Sequence, residues 1–210
     1  MRTQVWMRCV LDAAEAMTKY TKELCILDSV IGDGDHGITI ERGYRSVREQ
    51  VMVENDAGAF CRKHGEVISE NMGGAIGPVY GLLWKALGEA AEGQTEITSA
   101  LMASAFKLAV RDIADICRVK AGEKTVLDAM IPAAEAFEAC RDEALAYAMD
   151  KVIQAADAGR EMTRDMIAKK GRARFLFDKS RGHYDAGATS FVLWLKELNE
   201  GIRQEEETGR

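Results

Sequence analysis

The stretch from Asp28 to Gly37, DSVIGDGDHG, gathers carboxylates at Asp28, Asp33 and Asp35, an imidazole at His36, and glycines at 32, 34 and 37. Three carboxylates so close together repel one another, and enclosing them in a partly dry site is costly unless a cation balances them. A hard divalent metal does that. Mg²⁺ suits an all-oxygen cluster completed by water and phosphate oxygens, whereas Zn²⁺ draws on Cys and His ligands.

Three plainer explanations compete with a metal cluster. Asp and Gly are the residues of solvated turns. An EF-hand loop starting at Asp33 fails, because Gly37 stands where Asp or Asn is required and Tyr44 where the bidentate Glu should be. Gly32, Gly34 and Gly37 match G-x-G-x-x-G, and LCILDSVI before them could pass for a strand. A dinucleotide fingerprint, however, brings pyrophosphate onto bare N–H groups, and Asp33 and Asp35 in that cradle would oppose it without a metal.

The elements that must position this cluster read as helices. Apolar residues from Val5 to Met17 recur at helical spacing over residues 3 to about 20, and Ile40, Tyr44, Val47 and Val51 do so from Gly37 to about Met52. The start of the second helix lies beside the acidic cluster, where N–H groups can donate to phosphate oxygens. A third helix is predicted over about 56–71. A glycine turn, NMGGAIGP, then leads into a fourth helix with Pro78 in its first turn. No Lys-Ser/Thr follows those glycines, so this is not a P-loop. A fifth helix is predicted from an N-cap at Thr98 to about Val119, a sixth over about 125–141 bent at Pro132, a seventh over about 143–169 and an eighth over about 188–200. The segment 171–187 is irregular, with FLF as an apolar anchor, and GIRQEEETGR reads as a frayed tail.

Eight helices without strand pairing give an all-α fold and leave no sheet for a dinucleotide-binding fold. The special loops, 28–37, 71–78, 121–125 and 171–187, fall at alternate connections. An up-and-down arrangement therefore brings them to one end.

The 210 residues are 47% hydrophobic, enough for the core of one large domain or two small ones, and the formal net charge is −6. That balance argues against nucleic-acid backbone binding. Five cysteines with no C-x-x-C argue against a disulfide framework or structural zinc. With no signal-like apolar segment and no run long enough to span a bilayer, a soluble cytoplasmic protein with no membrane role is expected.

LDSVIGDGDHGITIERGY, NMGGAIGPVYG, AGEKTVLDAMIPA and KGRARFLFDKSRGHYDAGATS, in that order, resemble the nucleotide-binding L subunit of dihydroxyacetone kinases, the DhaL or DAK2 domain family. The resemblance covers nearly the whole chain. It implies an antiparallel eight-helix barrel with ADP or ATP at one end and two Mg²⁺ ions bridging the phosphates to Asp28, Asp33 and Asp35. It also implies that His36, with Gly37, and Thr39 touch phosphate, that Gly74, Ala75 and Gly122 line the nucleotide, that Arg172 contacts it, and that Asp185, Ala186 and Gly187 close over it.

In such a system the ketose is held on a separate K-type subunit. The phosphoryl donor is then ATP or a phosphotransferase-system M-type phosphoprotein, and the assembly is a homodimer or hetero-oligomer. This chain departs from the family pattern at Thr39 for Asn, Ile76 for Ser, Glu123 for Asp and Ala186 for Pro. A rival of another class is a regulatory protein that uses a nucleotide-loaded domain to bind a transcription factor. Loss of carboxylates would favour the rival, and all three are present.

Overall fold

Val5, Trp6, Cys9, Val10, Ala13 and Ala14 form a buried stripe on α1 (Thr3–Ala16), so the first helix follows from its periodicity. The computed structural model describes residues 1–208. A single 3₁₀ turn, Met17–Tyr20, joins α1 to α2 (Thr21–Ser29), a helix the sequence did not suggest. Only Leu24 of α2 is buried, while Ile26 and Val30 face outward. Its apolar residues therefore trace no inward stripe.

The chain continues through α3 (His36–Gln50), α4 (Ala57–Asn71), α5 (Ile76–Ala91), α6 (Ser99–Cys117), α7 (Leu127–Ala139), α8 (Leu145–Met162) and α9 (Ala186–Thr208). Thr98 caps α6 as expected, its hydroxyl accepting from the Leu101 amide at 3.1 Å. Two boundaries differ from expectation. The seventh predicted helix stops at Met162, because Thr163–Asp165 tightens into a 3₁₀ turn and Met166 is extended. The last helix runs on to Thr208 instead of fraying after residue 200: Ile202 is buried and Arg203 pairs with Asp150. Gly209 and Arg210 of the predicted tail lie outside the described residues.

Neighbouring helices pack in the cyclic order α1, α3, α4, α5, α6, α7, α8, α9 and back to α1. Eight helices thus close an antiparallel barrel, and α2 extends the α1 strut to pack on α3. Among the described residues there is no strand, only an isolated bridge between Arg2 and Glu96. Among the described residues no helix is long and apolar enough to cross a membrane.

The barrel interior is aromatic. Trp84 meets Trp6 and Trp194 at ring-centroid distances of 6.2 and 5.8 Å, and His64 stacks on Trp84 at 3.7 Å. His64 is fully buried without a hydrogen-bond partner, and burial pushes its imidazole down to about 3. The α2–α3 junction is equally close, because a Cβ on Gly37 would lie 2.0 Å from the Thr21 carbonyl oxygen.

Two outcomes follow from this packing. The His64 imidazole takes up a proton more readily in the unfolded chain, so its contribution to stability is complete above pH 6.5 and is lost as pH falls toward 3. Denaturant unfolding from pH 6.5 down to about 4 should therefore show a slope of up to about 1.4 kcal/mol per pH unit that His64→Phe removes. An unchanged slope in the variant would assign acid sensitivity to carboxylates alone. Gly37→Ala should cost about 1–3 kcal/mol by forcing α2 and α3 apart, read as a lower melting temperature.

Candidate nucleotide and metal site

The last turn of α2 sets Asp28 with its backbone carbonyl accepting from the Gly32 amide at 2.6 Å and its carboxylate from the Gly34 amide at 2.9 Å. Gly34 takes a left-handed φ of 77°, which lets the chain fold back over Asp28. Asp33, Asp35 and Asp28 then present carboxylate oxygens within 4.8 Å of one another. Partial burial, reinforced by the Asp33 charge, raises the Asp35 carboxyl above its ordinary range. The cluster is short of positive charge. Among the described residues its one ion-pair partner is Arg172, whose Nη2 lies 2.8 Å from Asp33.

An all-oxygen set of this compactness fits Mg²⁺, which takes a few carboxylates and fills the rest of its octahedron with water or phosphate oxygens. No thiol or imidazole belongs to the cluster. His36 stands beside it at the start of α3, with Nε2 3.0 Å from the Ser190 hydroxyl. Burial holds the His36 imidazole below its ordinary value, leaving it neutral at pH 7.

The acidic cluster forms one wall of a cleft of about 540 Å³ at the end of the barrel where all four special loops meet. Of the residues that the family resemblance assigns to metal or nucleotide, Asp28, Asp33, Asp35, His36, Thr39, Gly74, Ala75, Arg172, Asp185, Ala186 and Gly187 line it. Gly37 and Gly122 stand behind the lining. Gly37 packs against Thr21, and the Gly122 amide donates to Asp128 at 2.5 Å, shaping the loop before α7. Gly74, with φ 67° and open space beside it, offers bare backbone to a ligand.

Asp185 precedes α9 and accepts from the Ala188 amide at 2.7 Å. Burial pushes its carboxyl up to about 6, against the opposing pull of that amide and the Lys124 charge. The 171–185 segment is not anchored by its phenylalanines, although Tyr184 at its end donates to Glu161 at 2.9 Å. Phe175 and Phe177 are 66% and 71% exposed, and Phe177 is left-handed with φ 50°. The buried Ser180 replaces the expected FLF anchor, its hydroxyl donating to the Phe177 carbonyl and accepting from the Ala168 amide.

Several lining residues escaped the sequence reading. Arg42, whose Nε donates to the Asn71 carbonyl at 2.7 Å, brings a second guanidinium into the cleft. Its spacing of three from Thr39, itself three from His36, was the signal that could have found it. Ile113, Cys117 and Val119 at the end of α6, with Val79 and Val126, make an apolar wall that no polar motif marks. The site is therefore two-sided. One face is acidic and polar, and the other is fit for a flat apolar ring.

Residues 30–200 match the family model described as the DAK2 domain. The chain is 28% identical over 203 residues to the ADP-binding subunit DhaL of the PEP-dependent dihydroxyacetone kinase of Escherichia coli (strain K12), covering 94% of this chain and 95% of that one. It is 30% identical over 198 residues to the corresponding subunit of PEP-dependent dihydroxyacetone kinase 2 of Listeria innocua, covering 92% of each. In structure it resembles the dihydroxyacetone kinase from C. freundii in complex with AMP-PNP and Mg²⁺, with a TM-score of 0.69 and 21% identity over 92% of this chain. It spans 33% of that longer chain, and the likeness is one of fold. Both curated relatives are named as kinase subunits, which supports a kinase role here. By motif, fold and sequence, this chain belongs to the DAK2 domain family.

Proposed function

We propose that this chain is the nucleotide-holding subunit of a short-ketose kinase of the dihydroxyacetone type, binding ADP or ATP with two Mg²⁺ ions and passing a phosphoryl group to a ketose held on a separate K-type subunit. The observation that carries this reading is the Asp28–Asp33–Asp35 cluster on one wall of a cleft whose other wall is apolar. Phosphoryl transfer asks a protein mainly for positioning and cancellation of charge, with little covalent chemistry. Bound Mg²⁺ supplies the charge cancellation on phosphate oxygens.

The chain's own residues do the rest. Asp28, Asp33 and Asp35 hold the metal. Arg172 turns from Asp33 to phosphate once the carboxylates are neutralised, giving a charge-assisted contact. The His36 and Thr39 side chains stand at the start of α3, whose free amides favour anions. Gly74 lets backbone approach the phosphates, while Ile113, Cys117 and Val119 take the base.

The hydroxyl nearest His36, that of Ser190, is fully buried behind the lining and donates to the Gly187 carbonyl at 3.1 Å, so it is withheld from a bound phosphate and the acceptor comes from outside. Its carrier has to seat over the mouth, where the exposed Ile38 side chain supplies apolar contact area, with the exposed Phe175 and Phe177 a few residues beyond Arg172 of the lining. The five free cysteines suit a reducing cytoplasm.

Asp33→Ala should abolish Mg²⁺-dependent ADP binding, measured by titration calorimetry, with an unaltered far-ultraviolet circular dichroism spectrum; unchanged ADP affinity would refute the site. Arg172→Ala should weaken ADP retention by about tenfold, the worth of one charge-assisted hydrogen bond. Native mass spectrometry then separates the donors. ADP that stays bound against labelled ATP points to recharging by an M-type phosphoprotein, and free exchange points to direct use of ATP.

A further inference from the structure

Lys124 is the one lysine among the described residues that is buried, at 2% exposed, and its backbone is left-handed with φ 60°. Burying an ammonium and bending a non-glycine residue into that region are both costly, and they persist where the surroundings over-determine them. Its Nζ donates to the Thr163 carbonyl at 2.6 Å and to the His183 carbonyl. These two carbonyls bracket the segment that carries Arg172 and ends just before Asp185. The same tie reaches the start of α9, because the Thr163 hydroxyl accepts from the Asp185 amide at 3.0 Å. Carboxylates of Asp185, Asp165 and Asp128 supply the surrounding negative charge.

Apart from the Arg172–Asp33 ion pair, the other ties of the segment lie close to its base. The Lys169 amide donates to the Glu123 carbonyl at 3.0 Å, and the Gly182 amide to the Arg164 carbonyl at 2.7 Å. The tip has no apolar anchor, since Phe175 and Phe177 are exposed. Lys170 adds a tie on one side, its Nζ donating to the Arg118 carbonyl at 2.5 Å, but Lys124 is the cation that bonds both ends of the segment, and the closed form depends on it.

We propose that Lys124 is a positioning residue: its buried ammonium staples both ends of the 163–183 segment and thereby holds Arg172 over the acidic cluster. The staple acts before any ligand arrives. It rests on the proposed function only for the nucleotide readout described next.

The test is Lys124→Met in the full chain, read first by trypsin. The segment offers cleavage after Arg172, Arg174, Lys179 and Arg181. Loss of the staple should speed cleavage there by about tenfold or more at unchanged circular dichroism, because the cut rate follows local opening. Cleavage at the wild-type rate overturns the proposal. The second readout is a double-mutant cycle on ADP affinity in Mg²⁺. If Lys124 acts through Arg172, then Arg172→Ala costs the Lys124→Met protein little further affinity. Losses that simply multiply would mean that Lys124 does not act through the arginine, and would overturn it too.

Should Lys124→Met not fold, hydrogen exchange on the ligand-free wild type decides the question. The Lys169 and Gly182 amides should exchange slowly without nucleotide, and exchange as fast as in an open loop sinks the staple. Trypsin and hydrogen exchange need no nucleotide, so a failure to bind ADP would count against the proposed function and leave both results standing.

Discussion

Three carboxylates brought within 4.8 Å are the constraint to which the rest of the structure answers. Like charges held that close repel one another, burial together with the Asp33 charge raises the Asp35 carboxyl, and only helix ends and loops with fixed geometry can keep them there. The barrel supplies those supports. α2 ends on Asp28, α3 begins at His36, and Arg172 reaches in from a segment tied to the loop before α7. Every second connection of an up-and-down ring lies at the same end, so four loops distant in sequence share one cleft.

Backbone strain gathers at the same end. Arg118, Lys124 and Phe177 are the described non-glycine residues with left-handed φ. Arg118 ends α6 below the apolar wall, Lys124 precedes α7, and Phe177 breaks the irregular segment. Strain of this kind is kept where the surroundings demand a particular path, and here the path is the rim of the cleft. The far end of the barrel has ordinary caps, such as Thr98 on α6 and Asp56 on α4.

How much of this was legible in sequence depended on whether a residue's role left a local mark. The acidic loop, the glycine turn and the Thr98 cap announced themselves, because carboxylate spacing, missing Cβ atoms and capping hydroxyls are local chemistry. The helix α2 did not, since Ile26 and Val30 face solvent and a helix with almost no buried face has no apolar period to read. The α8 boundary was overrun because Thr163 ends the helix through bonds to distant residues, including Lys124. FLF looked like an anchor because aromatic residues usually bury, whereas the segment is held by Ser180 and by a lysine some sixty positions away from His183. The apolar wall of Ile113, Cys117 and Val119 was invisible for the opposite reason. Its residues differ in no way from core.

The direction of α9 has one more consequence. It starts at the cleft and runs 23 residues away from it, roughly 34 Å at 1.5 Å per residue, while α1 begins at that same distant face and climbs toward the site. A polypeptide joined to either end therefore departs from the floor of the barrel, leaving the mouth unobstructed. For any domain fused at either end, reach to the cleft is then set by the height of the barrel and by the length of the linker.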